Sequence, residues 1–440
     1  MPELEYHLLR QPGMPAMRTF EEYRRSGGYQ ALERAIQQLS PDQVIRQVKD
    51  SGLRGRGGAG VPVADKWLIA HDETEEPKYV ICNAYDADPS SYISRTILEQ
   101  NPHQVIEGIA LAAYAVGAQE AYLFTRSGYT EGIAAAQEAL REALAARTIG
   151  RDILGSDFTC SITLIAADVG FMGGEETTLM EIIKGKRAMP QQRPPYPAVF
   201  GLWDKPTVIN SLESLINVPL ILQRGADGYR RQGTQQSPGT KLLTVYGPET
   251  NAQPRLSEVP LGTTVRQVLR HAGIVLNERA ARGVVIGGPE GGVLPPNFFD
   301  TPLDFEAVEQ AGAIIGSGTL EVLPANTCMV AWAFKRSQYL AGESCGKCVP
   351  CRLGVKRIAG TLEGIVSDLG TMDDLALLEE FARYVPAGSL CGFGVHAPNA
   401  VMTAMRYFSE DFRVHIQEQR CPIGTCVPLR VHRFVKKQVL

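Results

Sequence analysis

The sequence predicts an α/β protein in three parts: a mostly parallel sheet layered with helices, a small β-grasp-like segment, and a helical bundle carrying a cysteine motif. Three observations predict it. Strand-length apolar runs alternate with helix-length amphipathic runs between residues 70 and 237. The segment Pro238–Pro324 then changes to strand, helix and strand, with many glycines and prolines between them. From Met329 onward the pattern is mostly helical, broken by ESCGKCVPC at residues 343–351.

Taken in order, the first part is an N-terminal arm with helical runs at Tyr29–Gln38 and Pro41–Ser51. A basic glycine-rich loop, GLRGRGGAG, follows at Gly52–Gly60. KYVICNAYD at Lys78–Asp86 is an apolar strand ending in a polar turn, and NPHQVIEGIALAAYAVG is a helix with an apolar stripe. EAYLFTR is the next strand, YTEGIAAAQEALREALAA a strong helix and CSITLIAA a third strand. KLLTVYG, TTVRQVLRHAG and GVVIGG make up the β-grasp-like segment. AWAFKRSQYLAG, LGVKRIAGTLEGIVSDLG, DDLALLEEFARYV and APNAVMTAMRYFSEDF supply the helices of the bundle. The expected domains are 1–69, 70–237, 238–328 and 329–440.

A chain of 440 residues exceeds one ordinary core, and 44% hydrophobic with 21% charged residues describes a globular protein. A formal net charge of −4 gives no reason to expect nucleic acid as the main partner. The longest apolar runs, such as Gly108–Val116, fall short of the ~20 residues a membrane span needs, so no direct membrane insertion is expected. MPELEYHLLRQPGM lacks a basic n-region leading into an apolar stretch, so a cytoplasmic location is expected. Nine cysteines there argue for metal or redox sites rather than disulfides.

Cys345, Cys348 and Cys351 present three thiolates in one tight loop, close enough for three corners of a [4Fe–4S] cluster. The best candidate for a fourth ligand is Cys391 in SLCGFG, whose flanking glycines let the backbone fold closely around a sulfide-rich object. Zinc is the alternative, but zinc usually draws on paired C-x2-C units rather than a triplet. A second group, His415, Cys421 and Cys426 with Cys328, has the composition of a Cys3His structural zinc site. Against that stands the reading that these cysteines are small buried hydrophobes. Cys82 and Cys160, on or beside strands, are expected to be structural.

The GLRGRGGAG loop offers backbone N–H groups and two arginines to an anion, with Lys66 six residues beyond it. It is neither a GxGxxG fingerprint in its usual setting nor a P-loop. Further on, Glu175 and Glu176 follow two glycines, a position that a helix N-terminus would also favour. KPTVINSLESLINVP adds Asn210 and Ser211 as amide and hydroxyl groups.

In this order, GLRGRGGAG, Asn83 after a strand, GGEET, KPTVIN and ESCGKC…SLCGFG are specific together. The chain resembles the flavoprotein (51-kDa type) subunit of respiratory complex I and its relatives in bidirectional hydrogenases and NAD-dependent formate dehydrogenases. The resemblance runs from about Ser51 to Cys426, and the end, HIQEQRCPIGTC, is more similar to the hydrogenase and formate dehydrogenase relatives. It implies a Rossmann-like FMN domain, a ubiquitin-like domain and a four-helix cluster domain. It also implies NADH oxidation by hydride transfer to FMN, then single electrons passed to the cluster. By motif, Gly55, Arg56, Gly57, Gly58 and Lys66 would line the FMN and dinucleotide pocket. Asn83, Gly174, Glu175, Glu176, Asn210 and Ser211 would complete it, with Glu176 the catalytic carboxylate. Ser211 stands where the family has a second Asn. Cys345, Cys348, Cys351 and Cys391 match the four cluster ligands. The implied partners are a thioredoxin-like [2Fe–2S] subunit and a larger iron–sulfur subunit.

The chain departs from the family where the dinucleotide would bind. The family's acidic turn, close to NADEGEPGTFKDR, is here NAYDADPSSYISR. Tyr85 replaces an Asp, while Asp86 and Asp88, which the resemblance also places at the cofactor pocket, are one methylene shorter than Glu. Val61 and Ile69 stand where the family has two rings that sandwich the adenine of NADH. Such stacking is worth about 1–3 kcal/mol per base on the nucleic-acid scale. Three readings follow: an NADH-oxidising subunit, a flavin and iron–sulfur relay that no longer takes NADH, and a structural subunit without flavin. The intact loop, Lys66, Asn83 and the Glu pair speak against the third.

Overall fold

The computed structural model describes residues 7–9, 14–249, 252–274 and 280–426. Most of the N-terminal stretch read for a secretory signal lies outside the described residues, as do residues 427–440 of the expected last domain. Contacts divide the chain into two compact units, Met1–Thr244 with Leu256–Thr263, and Val245–Arg255 with Thr264–Leu440.

Unit 1 opens with α1 (Phe20–Arg25), α2 (Gln30–Gln38), α3 (Pro41–Asp50) and α4 (Val63–Asp72). Ser40 and Gln43 cap α3 reciprocally, and Pro41 occupies its first turn, where no N–H is needed. Then come β1 (Tyr79–Ala84), α5 (Ile93–Gln100), α6 (Pro102–Val116), β2 (Glu120–Arg126), α7 (Thr130–Ala145) and β3 (Ser161–Ala167). After them follow α8 (Glu176–Ile183), β4 (Thr207–Ser211), α9 (Leu212–Arg230), β5 (Thr240–Tyr246) and β6 (Arg255–Pro260).

β1 to β4 form one parallel sheet in the order β3-β2-β1-β4. Helices cover both of its faces, which is why the central strand β1 is apolar along its length rather than alternating. Val80, Cys82, Ala84 and Leu123 join one core cluster; Ile81, Tyr85, Phe124 and Ile209 join a second with Leu179 of α8. Gly108 of α6 is required by packing: a Cβ there would stand 2.5 Å from the Leu215 carbonyl of α9. The N-terminal helices hang on the buried Glu107, which accepts from Tyr23 Oη (2.5 Å), Tyr29 N (3.0 Å) and Leu32 N (3.2 Å). Beside it His103, fully buried, bridges Tyr29 Oη (2.9 Å) and Glu142 (3.2 Å).

Unit 2 contains α10 (Val265–His271), β7 (Ala281–Ile286), β8 (Gly292–Leu294), α11 (Phe305–Gln310) and β9 (Thr319–Pro324). β7 pairs antiparallel with both β8 and β9. The helical part follows: α12 (Met329–Glu343), a π-helical turn Pro350–Val355, α13 (Lys356–Val366), α14 (Met372–Gly388), α15 (Gly392–His396), α16 (Asn399–Tyr407) and α17 (Ser409–Gln417). ESCGKCVPC therefore spans the loop between α12 and the π-turn, the first connection of the bundle. Among the described residues no helix is long and apolar enough to cross a membrane.

Candidate cofactor sites

In unit 1 the chain order reverses beside β1: β2 and β3 lie on one side, β4 on the other. Open parallel sheets bind ligands in the crevice at the carboxyl ends of the strands flanking such a switch point. Asn83, one residue before the end of β1, pairs in register with Ser211, which ends β4 and caps α9 by accepting from Ser214 N (3.3 Å). Topology thus brings together Asn83, Asn210 and Ser211, three residues that the sequence sets in two distant segments.

The glycine-rich loop packs onto this crevice. A Cβ on Gly57 would stand 3.3 Å from Ser211 Cβ, and Gly58 has a φ of +127° that L side chains rarely adopt. Gly55 N donates to Val61 O at 2.8 Å, closing the loop. Arg56 is buried, and its guanidinium runs into the protein rather than outward. It donates to Arg54 O (3.1 Å), Tyr229 Oη (3.1 Å) and Pro238 O (2.6 Å), while its own N–H donates to Ser214 Oγ (2.9 Å). These bonds fix the loop from behind. Asn210 accepts from the buried Trp67 indole at 2.8 Å, tying α4, and with it Lys66, to the end of β4.

The opposite rim is the turn before α8. Asn83 Nδ2 donates to Gly174 O (2.9 Å). Glu175 caps α8: one of its oxygens accepts from Thr177 N (3.0 Å) and Thr178 N (2.7 Å), an anion at a helix N-terminus. Its other oxygen, Oε1, is buried with no hydrogen-bond partner among the described residues; the Arg193 guanidinium stands 3.8 Å away. Glu176 lies between Lys66 Nζ, at 2.6 Å, and the Arg193 guanidinium. Burial pushes its carboxyl up, but the two cations outweigh burial and hold it below the usual carboxylate range. Sequence reasoning misses Arg193, whose only signal is a lone cation opening the proline run RPPYP.

The turn that departs from the family faces inward. Tyr85 is fully buried; its hydroxyl donates to Gly170 O (2.9 Å) and accepts from Val169 N (3.0 Å). Its ring lies 5.6 Å from Phe124 and 4.8 Å under the Arg126 guanidinium. Asp86 accepts from Ser94 N (2.9 Å), Ser94 Oγ (2.8 Å) and Tyr129 Oη (3.2 Å), with a backbone φ of +33°. Burial pushes the Asp86 carboxyl up despite those bonds. Asp88 is buried and accepts from Ser90 N at 2.8 Å. By contrast Val61 and Ile69 are each 46% exposed.

In unit 2, Cys345 and Cys348 are half-buried, and Cys351 and Cys391 are buried. Ser344 Oγ lies 3.2 Å from Cys351 Sγ. A Cβ on Gly394, in the first turn after Cys391, would stand 3.2 Å from Cys351 Cβ, so the two cysteine segments meet with no room for a side chain. The second group converges tightly: the donor atoms of Cys328, His415, Cys421 and Cys426 all lie within 4.8 Å of one another. Cys328 Sγ is 3.6 Å from His415 Nε2 and 3.5 Å from Cys426 Sγ. Tetrahedral zinc with Zn–S bonds near 2.3 Å requires sulfur–sulfur edges of about 3.8 Å. His415 Nδ1 lies 2.7 Å from Asp411 O, which turns Nε2 toward the sulfurs. Cys328 and Cys426 are separated by 98 positions, so only folding could show that they meet.

A switch-point crevice rimmed by a glycine-rich loop, Lys66, two amides and a carboxylate pair defines a nucleotide-binding redox class, and the cysteine segments add an iron–sulfur region. Comparison with known proteins agrees. Residues 48–220 match the Nuo51 FMN-binding domain, and residues 331–415, which contain Cys345, Cys348, Cys351 and Cys391, match the NADH-ubiquinone oxidoreductase-F iron-sulfur binding region. The chain is 38% identical to the second F-type subunit of the NADH-quinone oxidoreductase in Rhizobium meliloti (strain 1021), over 94% of this chain and 98% of that one. It is 36% identical to the HndC subunit of the NADP-reducing hydrogenase of Solidesulfovibrio fructosivorans, over 93% and 83%. The crystal structure of an NAD+-reducing [NiFe]-hydrogenase in its H2-reduced state superposes with a TM-score of 0.79 at 34% identity. That match covers 89% of this chain and 65% of the hydrogenase chain. The chain belongs to the family of FMN- and iron–sulfur-binding flavoprotein subunits that includes the F-type subunits of NADH-quinone oxidoreductases and the hydrogenase HndC subunit.

Proposed function

We propose that this chain accepts hydride from NADH at an FMN held in the unit 1 crevice and passes single electrons, through a [4Fe–4S] cluster on Cys345, Cys348, Cys351 and Cys391, to iron–sulfur partner subunits. The observation that carries the reading is the convergence of the glycine loop, Lys66, Asn83, Asn210, Ser211 and the Glu175–Glu176 pair at one switch point. FMN, when bound, supplies two-electron acceptance and one-electron release. The protein's part is positioning and electrostatics. Gly55, Gly57 and Gly58 allow close backbone approach, and Arg56 holds their loop from behind. Lys66 supplies a cation at the rim, and Glu176, kept ionised by Lys66 and Arg193, is an acceptor for ribose or amide donors. The buried Glu175 Oε1, without a hydrogen bond among the described residues, is a second acceptor for a group the protein does not provide.

The inward-turned Tyr85, Asp86 and Asp88 and the aliphatic Val61 and Ile69 favour a second reading, a flavin relay fed by another protein. Partners of the thioredoxin-like [2Fe–2S] and larger iron–sulfur types fit either reading. We also assign Cys328, His415, Cys421 and Cys426 to a structural zinc ion that staples the chain after α17 to the start of α12. The deciding experiment is anaerobic addition of NADH to the flavin-loaded protein, with dithionite as control. Prompt bleaching of the flavin band at sub-millimolar NADH supports the dehydrogenase. Bleaching by dithionite but not by millimolar NADH establishes the relay.

A further inference from the structure

Three polar side chains meet at the switch point, and two of them are occupied within the protein. Asn83 uses both ends of its amide: Oδ1 accepts from Tyr85 N (3.1 Å) and Nδ2 donates to Gly174 O (2.9 Å). The Ser211 hydroxyl lies 2.8 Å from that of Ser214 and accepts from Ser214 N. Asn210, one residue before the end of β4, is different. Its Oδ1 accepts from the Trp67 indole at 2.8 Å, while its Nδ2 makes no hydrogen bond among the described residues. The residue is 6% exposed, yet Nδ2 is not sealed from solvent, so this end of the amide opens on the crevice.

Trp67 decides which end of the amide that is. An indole N–H donates and never accepts, whereas an amide offers an oxygen at one end and two N–H donors at the other. The Trp67 ring is fully buried in the first core cluster with Ala64, Ala70 and Val80, so it is held in place. Turning the Asn210 amide over would set donor against donor and forfeit the bond, leaving buried polar groups unpaired. The polarity at this point of the crevice is therefore fixed, with N–H outward. A plainer role for Asn210 is to satisfy the buried indole. That role needs the oxygen alone and leaves Nδ2 unexplained. Nor is such a partner obligatory in this chain, since Trp332 Nε1 is buried with none among the described residues.

We infer that Trp67 is a positioning residue for the flavin: it holds the Asn210 amide so that Nδ2 donates to an acceptor atom of FMN. The inference deepens the proposed function and rests on its placing FMN in the unit 1 crevice; it does not depend on whether NADH is used. Lys66 and Trp67, neighbours on α4, then serve different parts of the site, Lys66 the carboxylate rim at Glu176 and Trp67 the end of β4.

The test is FMN binding to the full-length, cluster-loaded, flavin-free protein, read by quenching of flavin fluorescence without turnover. Trp67→Phe keeps a ring but removes the donor, and an amide N–H faces a ring better than an oxygen does, so the amide turns over and affinity should fall about threefold or more. Asn210→Ala should weaken binding about tenfold or more, and adding Trp67→Phe to it should cost less than about twofold further, because the effect passes through the amide. In a Lys66→Met background Trp67→Phe should still cost about threefold, which separates amide orientation from the hold of α4 on Lys66. Trp67→Phe binding less than about threefold weaker than wild type overturns the inference, as does an effect that adds to Asn210→Ala in full or vanishes in Lys66→Met. Where Trp67→Phe does not fold, Asn210→Asp reads the same claim, since its carboxylate still accepts from the indole but offers no donor. At about 0.5 M salt, which screens repulsion of the phosphate, its FMN affinity should fall about tenfold or more, and unchanged affinity overturns the inference. Wild-type protein that binds no FMN overturns the proposed function, and this inference with it. Wild type that binds FMN but is not bleached by NADH, with the variants behaving as expected, leaves this inference standing while the dehydrogenase reading fails.

Discussion

Tyr85→Phe removes one hydroxyl from the turn in which this chain departs from its family, and the structure sets the size of the effect. The ring keeps its contacts with Phe124 at 5.6 Å and Arg126 at 4.8 Å, so no cavity forms. What is lost are two hydrogen bonds, to Gly170 O at 2.9 Å and from Val169 N at 3.0 Å. Each net bond is worth about 0.5–1.5 kcal/mol, and a group left buried without a partner costs about 1–3 kcal/mol. Val169 and Gly170 are half-buried, so water reaches them in part and the lower range applies, giving about 1–3 kcal/mol in all. For a domain of this size that corresponds to a fall in melting temperature of roughly 2–10 °C. Because the loosened segment leads into Gly174 and Glu175, FMN affinity should also fall, read by quenching of flavin fluorescence on titration. Calorimetry of the apo protein together with that titration is the assay. A melting temperature within about 1 °C of wild type, well below the fall expected from those two bonds, with unchanged FMN affinity, would refute the claim that Tyr85 holds this loop.

Three further outcomes are expected. Glu176→Gln leaves Lys66 and Arg193 facing a neutral amide. The depressed Glu176 carboxyl gives stability present above its unfolded value near 4.5 and lost as pH falls through the folded one, so the variant should melt lower at pH 7 and converge with wild type in acid. Parallel melting curves from pH 7 to pH 3 would contradict this. His103 has the opposite chemistry and the same sign: burial lowers its pKa from 6.5, outweighing Glu142, so the unfolded chain binds the proton first and stability falls as pH drops below about 6.5. His103→Gln should flatten the stability profile just below that pH, and an unchanged slope in denaturant titrations would exclude the residue as its source. Stripping zinc with a strong chelator, or Cys421→Ser, should lower the melting temperature of unit 2. One zinc per chain by elemental analysis, and the strong visible bands of a tetrahedral cobalt-thiolate site after substitution, are expected; no bound zinc in metal-replete protein would dismiss the site.

The alternation of strand and helix was legible because a parallel sheet covered on both faces demands apolar strands, and KYVICNAYD, EAYLFTR and CSITLIAA supply them. The cysteine triplet was legible as a motif for a similar reason, since its three thiols stand at two-residue spacing in the chain itself. The Cys3His group was legible only as composition, because Cys328 stands far from Cys426 along the chain and the 3.5 Å between their sulfurs is made by folding. Side-chain direction was hidden altogether. Arg56, Asp86 and Asp88 carry charges that a motif places beside a ligand, yet Arg56 reaches back to Tyr229 and Pro238, and Asp86 turns to Ser94 and Tyr129. Arg193 has no motif of its own and enters through its contact with Glu176. By itself the sequence determined the order of elements, the cysteine loop and the family, because these follow from periodicity and short-range spacing. Only the tertiary structure decided which charges meet across the crevice and which turn inward, because hydrogen-bond partners distant in the chain exist only after it folds.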